Sequence, residues 1–380
     1  MIDRSVSAVD DATGRFSAGE LGAAWARYGH DLLVHDPDGP AECLVRRGEL
    51  IVPRAEIDPV LERVRRWVDE VRHDDRLELC RVRLRPNERD RCVQIAGEVP
   101  GAGANHVHLG SSVMFGTPVM FGTGADAEAA APVAEPPAQD WGVTVGVLDT
   151  GCDPHPWFAG RPWFSPVPEV LDADDDLDQD RQAGHGTFVS GVVLRNAPGA
   201  EIRVRKALSS LGFTDDVAVA AGLRELRAEA SRRGARLDVI ALTSGCHTAD
   251  DRCPPLLQAE VEQAESVLVA AAGNHGSARP FWPAAMPQVV AVAAGDRDGS
   301  VAEFSNTGDW VDACAPGVDV VSSFVRLRPG SGEREYGFAR WSGTSFATPQ
   351  VAAEIATAIA RGCGVGEAVR SAVDRYPFEG

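Results

Sequence analysis

Trp141-Gly142-Val143-Thr144-Val145-Gly146-Val147-Leu148-Asp149-Thr150-Gly151 is the stretch on which the fold turns. The run from Val143 to Leu148 is short, uncharged and continuous, as in a strand covered on both faces. It stops at a carboxylate and a glycine, a natural turn. Moving outward, comparable runs recur at Ile202–Val204, Leu237–Leu242, Val267–Ala271 and Val289–Ala293. Helical patterns at Thr187–Leu194, Asp216–Ala230 and Leu256–Ala264 separate them, and a last helix is expected from about Ser345 to Ala360. Buried strands alternating with helices predict an α/β domain with a doubly wound, mainly parallel sheet over residues 141–375.

Upstream the character differs. Residues 124–140 are rich in Ala, Pro and acidic side chains and read as a flexible linker. Before it, Val113-Met114-Phe115-Gly116-Thr117 recurs as Val119-Met120-Phe121-Gly122-Thr123. Within residues 1–123 the pattern gives a short helix at Gly19–Tyr28 and a strand at Glu49–Val52. A helix then runs over Ile57–Val71 from Asp58-Pro59, and strands follow at Leu77–Leu84 and Cys92–Ile95. That order predicts a smaller N-terminal α+β domain.

The 380 residues carry a formal net charge of -19. Such an acidic surface repels phosphate backbones and argues against nucleic-acid binding. Met1–His30 has no apolar core of about 7–15 residues behind a basic tip, and no run of about 18 apolar residues occurs. The expectation is a cytoplasmic protein with no membrane segment. Eight cysteines are then expected as thiols, with Cys80–Cys92 and Cys246–Cys253 near enough in sequence to bridge.

Four segments carry chemistry. Asp149 ends the first buried strand, where a carboxylate is either functional or a helix cap. In Gly184-His185-Gly186-Thr187 two glycines leave an imidazole accessible at a helix start. Ala272-Gly273-Asn274-His275-Gly276 holds an amide on a turn, able to aim N–H bonds at a developing oxyanion. Ser342-Gly343-Thr344-Ser345-Phe346-Ala347 sets a hydroxyl at a helix N-terminus, where free N–H groups favour negative charge.

In this order, Asp, His, Asn, Ser, the segments resemble the signatures of the subtilisin (subtilase) family of serine proteases. Phe304-Ser305-Asn306 and Ala315-Pro316-Gly317 match as well. The resemblance implies a subtilisin-like fold and a serine endopeptidase with catalytic Asp149, His185 and Ser345 and with Asn274 in the oxyanion hole. It places Thr243, Ser244 and Gly245 along the substrate cleft and Asp215 and Asp216 in outer subsites. Cys246 stands where the family often has glycine, which alters the first specificity pocket. The run Asp172–Asp180 is either a solvated loop, a lure for basic substrate residues, or an oxygen-rich cation site without EF-hand spacing. Val192–Gly199 is too short for the family's calcium insertion, so no cofactor or metal is expected. His106 and His108 are expected in an ordinary loop.

The N-terminal region is compatible with the family's inhibitory propeptide. Its tail would occupy the active-site cleft, with self-cleavage near Met114–Thr123. A permanently attached domain that recruits a partner fits equally. The functional expectation is a serine endopeptidase acting on polypeptides, with a dedicated processing role and a preference for basic residues as its narrower form. The alternative is a protease-like binding or sensor protein held inactive by its N-terminal region.

Overall fold

The computed structural model of the chain describes residues 31–110, 127–173 and 175–379. The expected helix at Gly19–Tyr28 and the repeat at 113–123 lie outside them. The first unit comprises Leu32–His35 (β1), Cys43–Pro53 (β2), Ile57–Val64 (α1), Val68–Asp74 (β3), Leu79–Leu84 (β4), Cys92–Glu98 (α2) and Gly103–Gly110 (β5). Strands β3, β4, β2 and β5 lie side by side, all antiparallel, and β1 pairs with the start of β2. Helices α1 and α2 close over one face through Val60, Val64, Cys92 and Ile95, which meet Leu50, Val52, Val82 and Leu84.

Three expectations change here. The helix from Ile57 ends at Val64, and a 3-10 turn at Arg65–Trp67 leads into β3. Val68 and Val71 continue helical spacing, but they pair with Leu84 and Val82 of β4, and ladder bonds outweigh a weak local preference. Cys92–Ile95 is helix, not strand: Pro86 opens a 3-10 turn that runs straight into α2, and Cys92 and Ile95, three apart, bury one face. The loop expected around His106 and His108 is the strand β5.

The second unit follows the predicted alternation. It comprises Glu128–Ala129 (β6), Thr144–Asp149 (β7), Pro156–Ala159 (α3), His185–Asn196 (α4), Glu201–Lys206 (β8), Phe213–Asp215 (β9) and Asp216–Arg233 (α5). Then come Val239–Leu242 (β10), Ser244–Gly245 (β11), Pro255–Glu262 (α6), Val267–Ala271 (β12), Val289–Gly295 (β13) and Ala313–Pro316 (β14). The hairpin Val320–Leu327 (β15) and Arg334–Trp341 (β16) precedes Thr344–Ala360 (α7) and Val365–Arg375 (α8). A six-stranded sheet runs β14-β13-β12-β10-β7-β8, every pair parallel. The chain steps from β7 to β8 on one side and returns to β10 on the other. The carboxyl end of β7 is therefore the switch point, where open sheets leave a crevice.

The core beneath that crevice joins α4 and α7. Phe188, Val189 and Val192 meet Phe346, Val351, Ala352 and Ile355, with Trp341 and Phe324 from the hairpin. Each fully buried phenyl contributes about 1.5–3 kcal/mol. Small residues along α7 let it lie close against the strands, which fixes its N-terminus.

The stretch expected as a flexible linker is docked on this unit from Ala127 onward. β6 pairs with β16, and the Arg161 guanidinium donates to the carbonyls of Pro136 at 2.5 Å and Pro137 at 3.3 Å. All eight cysteines are free thiols, so neither candidate pair is bridged. Among the described residues no helix is long and apolar enough to cross a membrane.

Candidate active site

Asp149 is the last residue of β7 and fully buried. Its Oδ1 accepts from Thr150 N–H at 2.7 Å and lies 2.7 Å from His185 Nδ1; Oδ2 accepts from Thr243 Oγ1–H at 2.6 Å. Burial pushes this carboxyl up, but His185, Thr243 and Thr150 together hold it below the usual range. The carboxylate therefore stays charged inside the protein and orients the imidazole.

His185 opens α4, its ring buried against Trp341 and Phe346 at centroid distances of 5.4 and 5.1 Å. Nδ1 faces the carboxylate, and Nε2 is buried without a hydrogen-bond partner. The helix start presses on the Asp149 loop so closely that a Cβ at Gly186 would meet Gly151 O at 2.0 Å. Glycine is required there by contact.

Ser345 is the second residue of α7, and its Oγ–H donates to Thr243 O at 2.8 Å. Beside it, the N–H and Oγ1–H of Thr344 both donate to Asn274 Oδ1, at 3.1 and 3.0 Å. An N–H can only donate, so the acceptor is the amide oxygen. Asn306 holds that turn: its Nδ2 donates to Ala272 O at 2.8 Å and its Oδ1 accepts from the N–H groups of His275 and Ser277. Strand ends of β7 and β12 and the starts of α4 and α7 thus bring Asp149, Asn274, His185 and Ser345 to one crevice.

Sequence reading missed Glu169. Fully buried, it accepts from Thr150 Oγ1–H, Gly184 N–H, Thr187 N–H and Thr187 Oγ1–H, at 2.6–2.7 Å. Burial raises its carboxyl against the opposing pull of the Thr187 and Thr150 bonds. It ties the Asp149 loop to the first turn of the His185 helix. It sits in a segment without periodicity, so only its contacts reveal it.

Of the residues expected along the cleft, Thr243 lies under the Ser345 hydroxyl, and Ser244 and Gly245 form β11. Strand β5 runs between β11 and β9. Gly110 pairs with Ser244 and Leu109 with Gly245 on one side; Leu109, His108 and Val107 pair with Phe213, Thr214 and Asp215 on the other. Asp215 caps α5 through Ala218 N–H and bonds Arg46 of β2 at 2.8 Å. Asp216 is buried and meets both histidines of β5, His106 Nδ1 at 3.0 Å and His108 Nε2 at 2.8 Å. Residues two apart on a strand share a face, which is why both imidazoles reach one carboxylate.

The acidic loop is exposed from Asp175 to Asp178, Asp172 accepts from the backbone N–H groups of Asp176 and Leu177, and Asp180 is buried and accepts from Ala173 N–H. Among the described residues, the group able to hold a metal ion is His108, Asp216 and Cys246, with donor atoms within 4.8 Å of one another. There the Asp216 carboxylate is engaged by imidazoles and the Cys246 thiol is pushed far up by burial.

Comparison with known proteins bears on this crevice. The profile of the subtilase family matches residues 140–362. The thermophilic serine proteinase of Bacillus sp. (strain AK1) is 36% identical over 228 residues, 56% of this chain and 50% of that protein. Subtilisin Savinase of Lederbergia lenta is 34% identical over 223 residues, 56% of this chain and 74% of that protein. The chain thus spans about half the length of the first of these. Among solved structures, fervidolysin from Fervidobacterium pennivorans, a keratinolytic enzyme related to subtilisin, superposes with a TM-score of 0.55 at 20% identity, covering 84% of this chain and 55% of that one. It shares the fold.

Proposed function

The chain belongs to the subtilase family, by a match to more than half its length, and from this we propose that it is a serine endopeptidase with Asp149, His185 and Ser345 as its triad. The observation that carries the reading is His185. Its Nδ1 is gripped by a buried carboxylate while Nε2 has no hydrogen-bond partner, and the ring lies 5.1 Å from that of Phe346, the residue after Ser345. Rotation of the Ser345 hydroxyl from Thr243 O toward Nε2 readies the nucleophile. Oγ attacks the peptide carbonyl and its proton passes to Nε2. Asp149 stabilises the imidazolium, and the Asn274 NH2 with the N–H groups at the start of α7 holds the oxyanion. Nε2 then protonates the departing amine, and water, deprotonated by the same nitrogen, releases the acyl group from Oγ.

The N-terminal unit is read as an inhibitor of the same molecule. Support comes from β5, which fills the strand position that an extended substrate needs between β9 and β11. A preference for basic substrate residues is supported by Asp216, a buried carboxylate that faces that strand and meets its two histidines; a dedicated processing role is proposed beside it. The occupied cleft also favours the second reading, a binding or sensor protein held shut. The test is hydrolysis of a peptide pool by the wild type and by Ser345→Ala. The endopeptidase reading expects cleavage that the substitution abolishes; cleavage of equal rate in both refutes it.

A further inference from the structure

Beside the crevice, between β11 and the turn that carries Asn274, two glycines face a single aromatic ring. A Cβ on Gly245 would fall 2.5 Å from Phe281 Cε1, and one on Gly273 2.9 Å from Phe281 Cδ1. The ring therefore rests against both backbones, and only glycine at each position leaves it room. Phe281 is 2% exposed. It is held there by its neighbours: Cys246 and Trp282 exchange backbone hydrogen bonds at 3.0 and 2.8 Å. The His247 and His275 rings close the box, with centroids 5.1 and 5.5 Å from the phenyl. Burial pushes both imidazoles down, to about 4 for His247 and about 3 for His275, so the box is uncharged near neutral pH.

The strand geometry says which substrate side chain meets this ring. In an extended chain running between β9 and β11, alternate side chains share a face. His106 and His108 face Asp216. Val107 and Leu109 face the other way and line a cavity with Gly245, Cys246, His275 and Phe281. In the register Ser244 to Gly110, the next residue of a bound strand stands opposite Thr243, whose carbonyl receives the Ser345 hydroxyl. The residue whose carbonyl is attacked therefore points to the Phe281 side.

From this we infer that Phe281 occupies the slot that would otherwise receive that side chain, and that the enzyme cuts after small residues: glycine, alanine or serine. The inference rests on the endopeptidase reading and narrows its substrate class. It also separates two recognition elements: a carboxylate, Asp216, that reads an imidazole three residues before that position, and a filled slot that reads size at the cut itself.

The experiment uses the full chain and peptidyl phosphonates that differ only in the side chain next to phosphorus, with attachment at Ser345 followed by mass spectrometry. Wild type is expected to react at least about 30-fold faster with the glycine and alanine probes than with the leucine and phenylalanine probes, within the roughly 10- to 200-fold that even one methylene is worth in a pocket. Phe281→Ala is expected to bring the two classes within about threefold, and Phe281→Leu to fall between. Equal reaction of wild type with alanine and phenylalanine probes overturns the inference, as does a ratio unchanged in both variants. A non-peptidic fluorophosphonate, which enters no side-chain slot, is applied in parallel. Its attachment to Ser345 in wild type and variants leaves the catalytic reading standing whatever the slot does.

Discussion

Thr243 serves two members of the site at once, its hydroxyl on Asp149 Oδ2 and its carbonyl under Ser345 Oγ. A hydrogen bond to a charged group contributes about 1.5–3 kcal/mol. Thr243→Val keeps the shape and the carbonyl but deletes that bond, and kcat/KM for peptide hydrolysis is expected to fall about 10- to 100-fold. Asp149→Asn presents an amide to Nδ1 and favours the wrong imidazole tautomer, so a kcat loss on the order of 10⁴-fold is expected. Both are read from steady-state rates, with thermal unfolding as the control that the fold survives. At this scale the sequence was informative where chemistry repeats a short motif. Asp149, His185, Asn274 and Ser345 each stand beside glycines or small residues at an element end, and the structure gathers them. Asp215 and Asp216 looked alike in sequence, yet one caps α5 while the other meets two histidines.

Strands β7, β10, β12 and β13 were legible because burial on both faces leaves uninterrupted runs without charge; β8 was placed by Ile202 and Val204 alone, with Arg203 between them. In the N-terminal unit β2, the start of α1 and β4 were legible, whereas β3 and α2 were not, because their faces are only half covered. Val68 and Val71 satisfy helical spacing and strand pairing alike, and the partner strand decides. β5 was hidden by its glycine ends and its histidines, whose partners lie 108 and 110 residues away. The tie between the Asp149 loop and α4 is similarly invisible in sequence. Glu169→Gln replaces one acceptor oxygen with an NH2 group facing buried donors, and the cost is expected at about 2–4 kcal/mol, seen as a lowered midpoint in chemical denaturation. Because the loop and the helix then shift relative to each other, kcat is expected to fall further than KM changes. Unaltered stability and kcat would show that Glu169 ties nothing.

Across the molecule, the two units are joined by β5 and its Asp216 contact. Burial pushes the Asp216 carboxyl up, yet His106 and His108 hold it down, to about 2. A folded value below the ordinary carboxylate value of about 3.9 means that docking favours the ionised form. Its contribution is complete above about pH 4 and is lost as pH falls through about 2. Hydrogen exchange of the β5 amides is expected to speed up at least about 10- to 100-fold in Asp216→Ala at neutral pH, as its three bonds to His106 N–H, His106 Nδ1 and His108 Nε2 vanish. That difference is expected to shrink below pH 4. Equal exchange in both proteins would mean that the strand is held by its backbone ladder alone.

The central claim is that Ser345 is a nucleophile made reactive by His185. Fluorophosphonate labelling of the full chain, mapped by peptide mass spectrometry in wild type and in His185→Ala, tests it most directly. The account predicts a phosphonyl group on Ser345 in the wild type and its loss, by orders of magnitude in rate, in the variant. Labelling of Ser345 at the same rate without the imidazole, or labelling confined to other residues, would contradict it.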